Sequence, residues 1–200
     1  MYLNQNHKTI KIGPFSTSRI ELRDLLKAWA AISLAFAILF RGTAGFAIGF
    51  LVSALTVGLG FLFHEIGHKL VAQRYGCFAE FRSDDKMLLI AILLSFIGFI
   101  IAAPGAVMIS GPVGKNRNGK ISATGPAVNL GLALIFLLLM LVFGRNIISI
   151  YGLRINSLLA AFNLIPFGIF DGRKVLEWSK PVYFALLVSG IILLVAGMLL

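Results

Sequence analysis

Long uncharged apolar runs dominate this chain. Ile121–Phe143 and Pro181–Leu200 contain no charged side chain, and each has about the 20 residues that an α-helix needs to cross a bilayer. Of the 200 residues, 58% are hydrophobic and 13% charged, whereas a soluble domain has roughly 45–50% apolar and about a quarter charged residues. These values exclude a soluble globular domain, a disordered chain and a coiled coil. They predict a polytopic membrane protein.

Five membrane-crossing helices are predicted. The first follows Ser18-Arg19-Ile20-Glu21, which fits a capping box because the hydroxyl and the carboxylate can each bond a free backbone N–H. This helix therefore begins near Arg19 at the interface, and its membrane part is Ala28–Phe40. The other spans are expected at about Ala44–Leu70, Ile121–Phe143, Ile155–Phe170 and Pro181–Leu200. Residues 1–27 then form a basic cytoplasmic tail and helix start, and residues 28–200 form a single integral membrane domain.

The apolar segment Met87–Ala103 admits two topologies. It is long enough to be a sixth span, but Gly98 interrupts it and Pro104-Gly105 follows it, so a re-entrant hairpin is the alternative. Cytoplasmic loops are enriched in Lys and Arg. With the hairpin, 15 of the 18 basic residues lie on the cytoplasmic side, whereas a sixth span reduces the division to 11 against 7. The hairpin is favoured, with the N-terminus inside and the C-terminus outside. The net charge of +10 then records orientation and not a nucleic-acid partner.

Three polar residues, His64, Glu65 and His68, lie inside the second predicted span and form an HExxH pattern. Positions i and i+4 share one face of a helix, so both imidazoles can bind one metal ion. Glu65 is then placed to take a proton from metal-bound water. Ionisable groups inside a bilayer are costly and mark functional sites. The alternative is a buried polar cluster that only ties helices together.

A catalytic zinc usually has three protein ligands and one water. His7 lies in the polar tail and is not expected to be a ligand, and the single cysteine, Cys77, excludes a cysteine cluster. The third ligand should therefore be Asp171, the only carboxylate in or at the edge of another predicted span. An ordinary Asp-Gly turn is the alternative. The hairpin topology favours a ligand, because it brings Asp171 to the same membrane face as His64 and His68.

Three motifs now resemble the site-2 protease family of intramembrane zinc metalloproteases. The first is His64-Glu65-Ile66-Gly67-His68. The second is Asn163-Leu164-Ile165-Pro166-Phe167-Gly168-Ile169-Phe170-Asp171-Gly172, which fits N-x-x-P-x-x-x-x-D-G. The third is Gly125-Pro126-Ala127-Val128-Asn129, which is similar to the family's G-P-x-x-N. The motifs lie on three predicted spans, and the resemblance covers roughly residues 45–175.

The resemblance implies one zinc ion per chain, bound by His64, His68 and Asp171. It also implies that Glu65 is the general base and that Asn163 holds or polarises the scissile carbonyl. A hydrogen bond from Asn163 to a neighbouring helix is the alternative, because polar residues in membranes often bond in this way.

The remaining motif residues are interpreted as structural. Pro166 removes a backbone hydrogen bond, which should open the helix before the predicted third ligand. Gly125, Pro126 and Asn129 are expected to be packing and helix-start residues. Gly172 belongs to the same structural set.

Two segments that flank the hairpin are predicted to pair as a small cytoplasmic sheet. They are Cys77–Arg82 and Ala106–Ser110. A substrate helix must unwind before cleavage, and an unwound segment can add to a free strand edge, an element that the resembled family uses. Val107, Met108 and Ile109 are therefore predicted to bind substrate. A loop strand with no substrate role is the alternative.

The predicted fold class is an all-α polytopic membrane protein with about five spans, a re-entrant hairpin and a small β element. The predicted function is zinc-dependent hydrolysis of peptide bonds in transmembrane segments, that is, regulated intramembrane proteolysis. The site would open to the cytoplasm, and the expected partners are a membrane-spanning protein substrate and the lipid bilayer of the cell membrane. A catalytically silent, chaperone-like metal-binding relative and a metal-ion transporter are the other classes. A transporter would spread polar residues through the bilayer depth, whereas these cluster at one depth.

Overall fold

A computed structural model describes residues 9–13, 15–41, 45–100 and 104–200. The described part of the chain is mostly helical, with two small sheets. In chain order the elements are β1 (Thr9–Ile12), β2 (Phe15–Ser18), α1 (Arg19–Leu39), α2 (Phe46–Ser53), a π-helical segment (Ala54–Gly58), α3 (Leu59–Arg74), β3 (Phe78–Ser83), α4 (Asp85–Ser95), β4 (Gly105–Ser110), α5 (Lys115–Phe143), α6 (Ile147–Asn163), α7 (Asp171–Trp178) and α8 (Lys180–Leu199). The predicted mostly helical fold with a small β element is confirmed.

Three helical stretches in the described residues are long and apolar enough to cross a membrane. They are Phe46–Arg74, which joins α2, the π segment and α3, then Lys115–Phe143 and Lys180–Leu199. Helix α6 is apolar but shorter, at Ile147–Asn163. Large side chains such as Leu141 are exposed on these helices, as is expected for surfaces that face lipid. A membrane protein is therefore supported, and the count of five spans stays a prediction.

The predicted bounds of the fourth span, Ile155–Phe170, are wrong. Helix α6 begins earlier because Asn146 caps it: the Asn146 side chain accepts from the Ser149 N–H at 3.0 Å, and Ser149 Oγ accepts from the Asn146 N–H at 3.2 Å. It ends at Asn163, shortly before Pro166, because proline lacks an N–H and restricts the residue before it. Residues 164–170 are not helical, so Asp171 begins α7 and does not end a span.

The third span also begins earlier than predicted, at Lys115. Pro126 therefore lies inside α5, and the expectation that Gly125 and Pro126 start a helix is wrong. The predicted start at Ile121 was too late because residues 115–120 carry charges, and charges indicate a loop outside the bilayer core. A helix can nevertheless continue beyond that core into the polar interface, where its charges stay hydrated.

Strands β3 and β4 form the predicted sheet. They pair antiparallel, with Phe78 opposite Ser110 and Ser83 opposite Gly105. The Asp84 N–H donates to the Pro104 carbonyl at 3.0 Å, so the two ends of the intervening segment lie side by side. Helix α4 leaves this point and is followed by a turn at Gly98, where φ is +88°. The segment between β3 and β4 therefore begins and ends at the same place, which supports the re-entrant hairpin over a sixth span. Residues 101–103 lie outside the described residues.

The sequence did not predict the hairpin formed by β1 and β2, which pair antiparallel. This hairpin docks on the end of α3. The Ser16 N–H donates to Gln73 Oε1 at 3.1 Å, and Gln73 Nε2 donates to the Ser16 carbonyl at 2.8 Å. The polar region before α1 therefore packs against the helix that carries HExxH. His7 lies outside the described residues.

The start of α1 is tied to both α3 and β3. Ser18 caps α1 as predicted, since its Oγ accepts from the Glu21 N–H at 3.1 Å. The buried Glu21 carboxylate accepts instead from Thr17 Oγ1 at 2.7 Å, from the Phe81 N–H at 2.9 Å and from Lys69. One carboxylate thus fixes three elements around the candidate site.

An apolar core holds these elements together. Ile32 of α1, Val57 of the π segment, Phe61 of α3 and Phe81 of β3 are all buried in one cluster. The Phe61 and Phe81 rings meet edge to face with centroids 5.6 Å apart, a favoured aromatic geometry. This cluster sets β3, and through it β4, against the helix that carries HExxH.

Candidate metal centre

Three predicted ligand residues meet in the structure. His64 and His68 lie one turn apart on α3, with their Nε2 atoms 3.0 Å apart. Asp171 Oδ2 lies 3.3 Å from His64 Nε2 and 3.0 Å from His68 Nε2. Tetrahedral zinc with bonds of about 2.0–2.1 Å sets neighbouring ligand atoms about 3.3 Å apart. The spacing therefore fits a zinc ion, although binding itself stays a prediction.

Hydrogen bonds on the far side of each imidazole orient the two rings. His68 Nδ1 lies 2.8 Å from the Ile121 carbonyl. A carbonyl can only accept, so Nδ1 carries the proton. His64 Nδ1 lies 2.6 Å from Asn129 Oδ1, while the Asn129 amide nitrogen donates to the Gly60 carbonyl at 3.1 Å. In both rings the Nε2 lone pair is therefore left to face Asp171.

Two imidazole lone pairs and one carboxylate oxygen thus converge in a buried space. Acceptors held at this distance have no donor between them and repel one another unless a cation joins them. Two nitrogens and one oxygen are the donors that Zn²⁺ accepts in catalytic sites with three protein ligands. The donor set therefore fits the zinc ion that the HExxH pattern predicts.

Helix α5 crosses directly over this centre at Gly125. A Cβ atom at that position would lie 2.5 Å from both His64 Nε2 and His68 Nε2. Gly125 is therefore required by the close approach of α5 to the two imidazoles. Gly125 thus lets the two helices pack closely at the centre itself.

The turn before α7 places the Asp171 carboxylate. A Cβ atom on Gly172 would lie 2.2 Å from the Leu164 carbonyl oxygen, so only glycine lets the chain fold back this closely. Leu164 is fully buried and anchors the turn, while Pro166 lies on its exposed side. Asp171 and Gly172 are thus the first two residues of α7 and not an isolated turn, and Asp171 is a candidate ligand.

Glu65 is buried next to the candidate ligands and against β4. It is close enough to His64, His68 and Asp171, and to the backbone of Val107, for their charges and dipoles to act on its carboxylate. The structure therefore places the predicted base between the candidate metal site and the predicted substrate strand.

The two edges of the small sheet differ. On the β3 edge, the Phe81 N–H donates to Glu21, and the Ala79 carbonyl accepts from Gln73 Nε2 at 3.1 Å. In the observed register Phe81 faces Val107 and Ala79 faces Ile109. The main-chain groups of Val107 and Ile109 consequently point away from β3. No strand among the described residues pairs with that edge of β4.

Two more predicted site residues are Met108, for substrate binding, and Asn163, for catalysis. Met108 pairs with Glu80 across the sheet and exposes 58% of its surface. The Asn163 amide donates to the Leu159 carbonyl at 3.0 Å, inside the last turn of its own helix. The structure thus shows no bond from Asn163 to a neighbouring helix within the described residues, and its contact with a scissile carbonyl stays a prediction.

The sequence did not single out Asn156 of α6, which is fully buried. Its Oδ1 accepts from the Asn129 amide at 3.1 Å, so it lies one hydrogen bond behind the residue that contacts His64. A polar residue in the middle of an apolar helix was the signal that could have found it.

Comparison with known proteins finds two zinc metalloproteases. A protein of Methanocaldococcus jannaschii named "putative zinc metalloprotease" is 37% identical over 174 residues, which is 84% of this chain and 91% of that relative. The chain belongs to this zinc metalloprotease family. A zinc metalloprotease of the same organism is 30% identical over 118 residues, which is 57% of this chain but 30% of that relative. No family model matches the chain, and no solved structure matches it. Membership in the zinc metalloprotease family supports a metalloprotease function.

Proposed function

We propose that this protein is an intramembrane zinc metalloendopeptidase of the site-2 protease type. It hydrolyses peptide bonds in the transmembrane segments of other membrane proteins, near the cytoplasmic side of the cell membrane. One observation carries the proposal: His64, His68 and Asp171 converge within ligand distance, and both histidines lie in the apolar stretch Phe46–Arg74, which is long enough to cross a membrane.

Metal binding and proton transfer are carried out by different residues. His64, His68 and Asp171 hold the ion. When bound, zinc supplies Lewis-acid polarisation of the scissile carbonyl and lowers the pKa of a coordinated water to about 7. Glu65 accepts the proton of the attacking water and returns it to the leaving amine. Its burial removes competing solvent from that transfer.

The substrate segment adds to the open edge of β4. An unwound peptide exposes its backbone groups, and main-chain pairing with a strand edge holds it extended. Val107 and Ile109 direct their main-chain groups outward there, and the backbone of Val107 lies close to Glu65. A peptide on this edge therefore passes beside the base, whereas the covered edge of β3 has its groups engaged by Glu21 and Gln73.

The proposed orientation places the N-terminus and the opening of the site in the cytoplasm. It is supported by the uneven distribution of the 18 basic residues between the two predicted sides of the membrane. It is also supported by the pairing of β3 with β4, which brings the segment between them back to the place where it began. Asn163, at the end of α6, is proposed to contact the scissile carbonyl. Its amide bonds only the last turn of its own helix, and it can therefore be redirected without breaking a contact between helices.

The experiment compares zinc content and cleavage of a transmembrane substrate by the purified protein in detergent. Glu65→Gln should keep one zinc per chain and lose cleavage, and Asp171→Ala should lose both. Glu177→Gln, an exposed carboxylate of α7 that pairs with Arg173, is the matched control and should behave as wild type. Cleavage by Glu65→Gln would overturn the mechanism. Wild-type protein that binds zinc without cleaving would instead indicate a catalytically silent metal-binding relative. Uptake of zinc into liposomes that contain the protein would indicate a transporter.

A further inference from the structure

We propose that Asn156 is a positioning residue of the metal centre. Acting through Asn129, it fixes which nitrogen of His64 faces the ion. This inference rests on the proposed zinc site and adds a residue on a third helix, α6, that touches neither the ion nor its ligands.

The hydrogen bonds start from backbone carbonyls, which can only accept. Asn156 Nδ2 donates to the Gly152 carbonyl of its own helix at 2.9 Å. Its Oδ1 is therefore turned toward α5, where it accepts from Asn129 Nδ2 at 3.1 Å. The same Asn129 nitrogen donates to the Gly60 carbonyl of α3 at 3.1 Å. Both N–H groups of Asn129 are then used.

This arrangement leaves the Asn129 oxygen for His64. Asn129 Oδ1 lies 2.6 Å from His64 Nδ1, and an amide oxygen cannot donate. Nδ1 of His64 must carry the proton, so Nε2 keeps its lone pair for the ion. Metal-binding histidines are commonly fixed in this way by a partner on the other ring nitrogen. Here that partner is itself held on both sides.

The surrounding packing is built for Asn156. A Cβ atom on Gly60 would lie 2.4 Å from Asn156 Oδ1, so a side chain at Gly60 would displace the amide. Asn129 and Asn156 are both fully buried, which excludes water as an easy substitute. An unpaired amide in this environment would cost free energy. The loss of Asn156 therefore leaves the Asn129 amide nitrogen with one of its two acceptors, the Gly60 carbonyl, so its orientation toward His64 is less firmly fixed.

His68 provides an internal reference. Its Nδ1 donates directly to the Ile121 backbone carbonyl at 2.8 Å, with no side chain between. A change at Asn156 should therefore affect His64 and leave His68 as it is. General loosening of the helix bundle would disturb both rings.

The test measures zinc affinity by competition with a chelator, in Asn156→Leu, Asn129→Ala and the double variant. Loss of an outer hydrogen-bond partner typically weakens metal binding about 10–100-fold, and Asn156→Leu should lie near the lower end. Because both act through one path, Asn156→Leu should have no further effect in the Asn129→Ala background. Additive losses, or zinc affinity unchanged by Asn156→Leu, would overturn the proposal.

A spectroscopic measurement distinguishes a specific effect of Asn156 on His64 from a general effect on the stability of the helix bundle. The chain has three histidines, so ¹⁵N-histidine labelling of the zinc-loaded protein resolves each imidazole. The His64 Nδ1–H resonance should shift in Asn156→Leu, and that of His68 should not. Equal shifts in both, or none, would contradict the proposal. Asn156→Ala is the second variant if leucine prevents folding.

Ser157→Ala is the matched control. Ser157 is the next residue on α6, is fully buried, and donates to the Leu153 carbonyl at 2.8 Å within its own helix. Its loss should leave zinc affinity and both imidazole resonances unchanged. Failure of wild-type protein to bind zinc would refute the proposed function, whereas wild-type zinc affinity in Asn156→Leu would refute only the role of Asn156.

Discussion

Lys69, the residue after the candidate ligand His68, forms a buried ion pair with Glu21 at the start of α1. The Glu21 carboxylate also accepts from the Phe81 N–H of β3. A single side chain therefore links α1, the helix that carries HExxH and the small sheet. These contacts hold the candidate metal centre and the proposed substrate strand in one rigid frame.

Removal of either partner of this pair should destabilise the protein strongly. Lys69→Met leaves the Glu21 charge buried without its cation, and loss of one partner of a buried pair costs about 3–5 kcal/mol. Chemical unfolding in detergent measures the difference. Arg173→Gln breaks an exposed pair and should leave the unfolding midpoint unchanged. If Lys69→Met unfolded at the same denaturant concentration as wild type, the pair would not hold the frame.

Gly125→Ala should abolish zinc binding. The added methyl would lie 2.5 Å from both His64 Nε2 and His68 Nε2, so at least one imidazole must move away from the ion. Gly131→Ala on the same helix is the matched control, because a Cβ there meets nothing within 4 Å. Metal analysis after dialysis compares the two. Full zinc content in Gly125→Ala would show that α5 does not approach the centre this closely.

Val107→Pro should reduce cleavage without loss of zinc. Proline removes the N–H that points away from β3 but leaves the hydrogen bonds between β3 and β4 intact, since those use the neighbouring residues. We expect kcat/KM to fall by up to about tenfold, because one hydrogen bond contributes about 0.5–1.5 kcal/mol. Val107→Leu keeps the N–H and should retain activity. Equal kcat/KM for wild type and the proline variant would exclude substrate pairing at this position.

The contact between α1 and α4 should depend on pH. The hydrogen bond and the charge of Lys27 hold the pKa of Asp85 below its ordinary value of 3.8. Because the folded-state pKa is lowered, the pair stabilises the fold above pH 3.8, and this contribution is lost as the pH falls through the lower value. The pair is exposed, so the effect is small.

Asp85→Asn tests this dependence. At pH 7 the variant should unfold slightly more easily than wild type, and the difference should vanish in acid once Asp85 is protonated. Thermal unfolding at a series of pH values follows the change. A difference that stays the same across the series would show that the Lys27 pair is not its cause.

The candidate site could be predicted largely from the sequence. His64, Glu65 and His68 are ionisable groups in an apolar stretch, where such groups are costly and therefore mark a functional site. Helical spacing then placed the two imidazoles on one face. Asp171 followed because the donor set lacked one ligand and the chain offered a single suitable carboxylate.

The rest depends on tertiary contacts that local patterns do not encode. Asn156 is one of several polar residues in apolar helices, and only the packing of α5 against α6 selects it. The close approach at Gly125 likewise appears only when α3 and α5 are assembled. The hairpin of β1 and β2 is held through Ser16 of β2 by Gln73 of α3, a partner remote in sequence. Helix α6 differs from its predicted start because the cap at Asn146 extends it through residues that apolar content alone does not assign to a span.

The position of the cleaved bond tests the central claim most directly. Purified protein and a single-span substrate are reconstituted in liposomes with zinc, and the products are mapped by mass spectrometry. The account predicts a cut inside the transmembrane segment by the wild type and none by Glu65→Gln. Cuts confined to the soluble flanks of the substrate, or the same internal cut by Glu65→Gln, would contradict it.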